Sequence, residues 1–157
     1  MAREKEFDFI RDFRAGVIES PTDVRDYKLE VAGAAEFPDE FELEMVRVKY
    51  QGSVGSCVAH SISEVIEYHN KKQLGSTTEQ SIIYIYGNRR NSTYKKDGMI
   101  TRNALANAVK WGDVAAYKLP GNVEVPEAIN KFEAVADTLK DLGRKNRFTA
   151  YYRLSKD

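Results

Sequence analysis

The one cysteine of the chain, Cys57, follows Gln51-Gly52-Ser53-Val54-Gly55-Ser56 and opens a stretch of small and apolar residues. A thiol in the first turn of a helix faces backbone N–H groups that lack intrahelical partners, and it sits at the positive end of the macrodipole. Both favour thiolate over thiol. Thiolate attacks carbonyl carbon, and the oxyanion that forms needs N–H donors held in place beforehand. The backbone N–H of Cys57 is one such donor and the carboxamide of Gln51 a second. The glycines and serines between them let the chain fold both groups around one carbonyl.

The elements that must position these residues are legible in outline. Cys57 to Lys72 reads as a long helix with Val58, Ile62, Val65, Ile66 and His69 on one face, ended by Gly75. Ser76 or Thr77, with acidic Glu79 behind, looks like the start of a second helix. The run Ile82-Ile83-Tyr84-Ile85-Tyr86 has the β-branched and aromatic content of a strand. Thr101 to Trp111 is a third helix, apolar at Leu105, Ala108, Val109 and Trp111 and stopped by Gly112. Lys131 to Lys140 is a helix through Phe132, Val135 and Leu139, and Arg147 to Leu154 alternates like a strand. Residues 1–16 place Phe7, Ile10 and Phe13 at helical spacing, an amphipathic arm that could pack on this domain, on a partner or over the active-site groove. Gly16 to Val48 is irregular, with turns at Ser20-Pro21-Thr22-Asp23 and Phe37-Pro38-Asp39-Glu40-Phe41.

The pattern Gln51-Gly52-x-x-Gly55-Ser56-Cys57 resembles the nucleophile segment of papain-like cysteine peptidases. So do the phrase Ser20-Pro21-Thr22-Asp23-Val24-Arg25-Asp26-Tyr27 and, loosely, the corner Tyr117-Lys118-Leu119-Pro120-Gly121. The resemblance covers residues 17–154, with 155–157 as a tail. It implies a mainly α domain from an α+β parent fold: the left-hand, helical half, built on a central helix from the cysteine and ending in a strand. It also aligns Ser81 to Arg90 with a helix rather than a strand. By resemblance, Cys57 is the nucleophile and Gln51 belongs to the oxyanion hole. Gly55, Ser56, Gly98, Met99 and Ile100 contact substrate, with Ile100 and Thr101 lining an apolar pocket. The family's catalytic histidine and asparagine come from a right-hand domain, and no residue here matches either.

Other positions depart from the family pattern. Val54 and Lys96 stand where many members carry a disulfide, and Val58 replaces a common tryptophan. The paired glycines that bind extended substrate survive as Gly98 followed by Met99, whose side chain is expected to narrow the groove. The two histidines, His60 and His69, both lie on the Cys57 helix. His60, at i+3 from the thiol, reads as structural because it would lie beneath the sulfur and not across a cleft from it. His69 falls on the apolar face, as a core or boundary residue. A Cys57/His60 pair supplies two ligands where structural zinc takes four, so no metal and no cofactor are expected.

With 157 residues, one domain with one core is expected. Lys plus Arg and Asp plus Glu each number 24, so no basic field favours nucleic acid as a partner. A lone cysteine and a charged N-terminus suit a cytoplasmic protein, and no stretch suits a membrane span. Three functions stay open: part of a cysteine peptidase acting on peptide or protein, completed by a separate right-hand domain; a binding or inhibitory module that kept the fold and lost the chemistry, such as a small phage or mobile-element protein blocking a host factor; or a redox-sensing thiol. A homodimer or a complex with a complementary domain is expected to cover the apolar face.

Overall fold

The computed structural model describes residues 16–21, 23–24, 39–89, 98–119 and 137–152. Along the chain these form β1 (Val17–Ile18), α1 (Cys57–Leu74), α2 (Ile82–Asn88), β2 (Met99–Ile100), α3 (Thr101–Trp111), a 3-10 turn (Ala116–Lys118) and α4 (Asp137–Gly143). β1 and β2 pair in parallel, with Val17 opposite Met99 and Ile18 opposite Ile100. The architecture is mainly helical around α1, as expected. The N-terminal amphipathic arm, the turn at Pro38, residues 25–27 of the Ser20–Tyr27 phrase, the expected start of a helix at Lys131 and the tail 155–157 lie outside the described residues.

α1 begins at Cys57 and ends where Gly75 adopts the left-handed conformation (φ 65°). Its N–H donates to Lys71 O (3.0 Å) and that of Ser76 to Asn70 O (3.3 Å), so the last carbonyls of the helix are satisfied. The buried face is rotated from the one expected. It carries Val58, Ala59, His60, Ile62, Ser63, Ile66 and Glu67, while Val65 and His69 are exposed. His69 is therefore not a core residue, and its ring meets Tyr68 edge-on at 5.6 Å. Apolar periodicity missed this rotation because it is set by a polar partner, Lys49, which draws Ser63 and Glu67 inward.

α2 resolves the ambiguous run as helix. Ser81 Oγ accepts the Tyr84 N–H (3.1 Å), and all seven residues are buried. Tertiary burial overrides strand propensity here. The helix starts at Ser81 and not near Ser76 or Thr77; Ser76 Oγ instead accepts from Thr78 N–H in a local turn (3.3 Å). α3 has the expected limits. α4 runs past Lys140 to Gly143, and the strand expected from Arg147 is not formed across 147–152.

Two fully buried tyrosines tie the helices to the site. Tyr84 donates from its hydroxyl to Trp111 O at the end of α3 (3.0 Å). Tyr86 accepts the N–H of Gly98 (3.1 Å), anchoring the entry to β2. Among the described residues no helix is long and apolar enough to cross a membrane.

Candidate active site

Cys57 is the first residue of α1 and half-buried. Ahead of it the loop turns at Gly52 (φ 62°), and Val54 O accepts both the Ser56 N–H (2.8 Å) and the Gln51 carboxamide (Nε2, 2.5 Å). Gln51 is thus buried and held against the nucleophile loop. Ser56 O starts the helix by accepting the His60 N–H (3.0 Å). The Ser56 side chain is wholly buried and turned to His60 Nδ1 (3.3 Å), so it does not enter the groove.

Gly16, Gly55 and Gly98 meet backbone to backbone beside the thiol: a Cβ on Gly55 would lie 3.2 Å from Gly16 Cα and 3.3 Å from Gly98 N. The Gly16 N–H donates to Cys57 Sγ (3.4 Å), and Gly16 O accepts the Met99 N–H (2.8 Å). A Cβ on Gly16 would lie 1.8 Å from Gly55 O, and one on Gly98 would lie 2.5 Å from Gly16 O. Backbone meets backbone on both sides, which only glycine permits. The segment continues to Ser20, whose Oγ accepts the Arg102 N–H at the start of α3 (3.2 Å). Met99 does not narrow the groove as expected: its side chain is buried in the core and only its backbone faces Gly16. Tyr86 holds Gly98 in the orientation that sends the next side chain inward.

Beside the thiol lies an apolar cleft of about 320 Å³, walled by Val58, Ile62 and Val65 of α1, Thr101 and Leu105 of α3, and Phe148. Thr101 lines it as the family pattern implies, whereas Ile100 is not among its lining residues.

His60 lies on the buried face of α1, and its Nδ1 contacts Ser56 O (2.9 Å). Burial pushes the imidazole below its ordinary value of 6.5; the Ser56 carbonyl opposes this shift and the Lys49 charge adds to it. A neutral, buried ring facing the loop is a structural group. Beneath the same helix Lys49 Nζ meets Glu67, Ser63 Oγ (2.7 Å) and Gln80 O (3.4 Å). Sequence reasoning missed Lys49, Glu67, Asp113 and the role of Gly16. Nothing in a single sequence marks a lysine or glutamate as buried, and Gly16 gains its role only from the two glycines that enclose it.

No protein-family profile matches the sequence, and no curated protein does. Among solved structures the chain is similar to xylellain, a cysteine protease from Xylella fastidiosa, with TM-score 0.69 and 20% identity. The match takes in 94% of this chain and 61% of that one. The fold is that of a cysteine protease. Within it, the mainly helical arrangement around a central helix beginning at Cys57 is the left-hand domain of the papain-like fold. The chain spans less than two thirds of the length of xylellain.

Proposed function

We propose that this chain is the nucleophile-bearing part of a papain-like cysteine peptidase, in which the Cys57 thiolate attacks a peptide carbonyl and a right-hand module supplies histidine and asparagine. The observation that carries this reading is the edge at Met99 beside Cys57, which pairs with an extended backbone, and backbone pairing selects peptides irrespective of sequence. Gln51 and the Cys57 N–H serve the oxyanion, Gly55 and Gly98 contact the substrate backbone, and the apolar cleft receives a side chain. The surface around the site suits a second module. Val48 is 93% exposed and Tyr50 68% exposed on the stretch leading to Gln51, while the lysine between them is buried. A solvated segment would have the opposite pattern.

A peptidyl fluoromethyl ketone tests this reading. It should label Cys57 faster than simple alkylators of equal intrinsic reactivity, and competing extended peptides should slow it. Equal rates for peptidyl and simple electrophiles would reject a peptide site.

One observation favours a second reading, a binding or inhibitory module. That edge is occupied by the chain's own Gly16, whose N–H donates to the sulfur (3.4 Å). If so, removing residues 1–20 would leave peptide electrophiles without preference for Cys57, while a target protein would still bind the exposed face.

A further inference from the structure

We propose that His60 is a positioning residue for the oxyanion site, a role that rests on the reading of Cys57 as the nucleophile: its ring Nδ1–H holds the Ser56–Cys57 peptide so that the Cys57 N–H stays aimed at the oxyanion. The Ser56 carbonyl and the Cys57 N–H belong to one planar trans peptide unit, in which the two bonds point in opposite directions. Whatever fixes the carbonyl therefore aims the N–H. Two groups of His60 fix it. The backbone N–H donates to Ser56 O (3.0 Å), and ring Nδ1 lies 2.9 Å from the same oxygen. Among the described residues the Cys57 N–H itself has no hydrogen-bond partner, so the donor on the other side of the peptide is open.

A carbonyl oxygen only accepts, so at 2.9 Å Nδ1 carries the ring's proton and Nε2 keeps the lone pair. That Nε2 is buried without a hydrogen-bond partner. Burying it unpaired costs stability that an apolar side chain of similar size would not lose. Packing alone therefore does not account for a histidine here, whereas the bond from Nδ1 does. A hydrogen bond accepted by a peptide carbonyl also polarises the unit and strengthens its N–H as a donor. Ser56 passes the restraint on. It is fully buried, its N–H donates to Val54 O (2.8 Å), and the same Val54 oxygen takes the Gln51 carboxamide (2.5 Å). One connected set of bonds thus runs from the His60 ring through the nucleophile loop to Gln51, and it reaches both groups assigned to the oxyanion.

Two measurements on the full chain test this role. Nitrogen NMR spectra of the wild type at pH 7 should place the His60 ring proton on Nδ1. A proton on Nε2 alone would overturn the proposal whether or not any variant folds. Reactivity then separates positioning from packing. A dipeptide aldehyde takes Cys57 Sγ at its carbonyl carbon, the carbonyl π pair moves to oxygen, and that oxygen takes the thiol proton as the hemithioacetal forms at the oxyanion position. Iodoacetamide instead exchanges iodide for sulfur and places no charge on an oxygen. His60→Leu should weaken aldehyde binding about tenfold and change the iodoacetamide rate less than about twofold. His60→Asn, whose amide nitrogen takes the place of Nδ1, should restore most of the aldehyde affinity. Equal losses toward both reagents, no loss toward the aldehyde, or no rescue by asparagine would overturn the positioning role alone. A wild type that reacts with iodoacetamide and binds no aldehyde would overturn the peptidase reading and this role with it.

Discussion

The backbone N–H of Gly16 lies 3.4 Å from the sulfur of Cys57, so the nucleophile faces a hydrogen-bond donor from its own chain. That donor directly precedes β1, the strand in parallel register with Met99 and Ile100, and its backbone touches those of Gly55 and Gly98. The segment pairs with Met99 as an extended backbone does.

Gly16→Ala should therefore displace this segment. The added Cβ cannot fit 1.8 Å from Gly55 O, and losing the Gly16 to Met99 bond as well should cost about 1–2 kcal/mol, or roughly a 5- to 30-fold gain in open population. Iodoacetamide kinetics at Cys57 should show the increase while circular dichroism stays unchanged. An unaltered rate would mean that the segment does not control access.

The Lys49 and Glu67 pair should behave as a buried ion pair. Removing one partner by Lys49→Met or Glu67→Leu should cost about 3–5 kcal/mol, because a charge stays buried without compensation. The double substitution should cost less than the sum of the two. Urea denaturation of the three variants gives the comparison, and additive effects would contradict the pairing.

His60 supplies a pH dependence of stability. Its folded value is depressed below 6.5, chiefly by burial, so the stability tied to the neutral ring is present above that pH and lost as pH falls through 6.5 toward the folded value. Thermal melts of the wild type between pH 7 and 5 should fall more steeply than those of His60→Gln.

The isolated chain should hydrolyse peptides negligibly. Thiolate attack alone leaves the departing amine without a proton, and such transfers contribute on the order of 10²- to 10⁴-fold. Robust turnover abolished by Cys57→Ala but not by His60→Ala would require a histidine from another chain. Loss with both would make His60 the base, against its burial and its contact with Ser56 O.

What the chain reveals without coordinates is local. The step from Gln51 to Cys57, the cysteine at a helix start, the long helix stopped by Gly75 and the limits Thr101–Trp111 all follow from turn residues, caps and apolar spacing within a few positions of one another. The mainly helical fold and the family resemblance follow from the same short patterns. What the tertiary structure decided involves partners far apart in sequence. Ile82–Asn88 becomes helix because it is buried on every side, despite its strand propensity. Val65 and His69 turn outward because Lys49 draws Glu67 in. Gly16 reaches Cys57 across 41 positions because glycines at 55 and 98 leave room for its backbone. Lys49 and Glu67 become a pair only once the fold removes water from both, since periodicity records which residues are apolar and not which charges the fold will bury together.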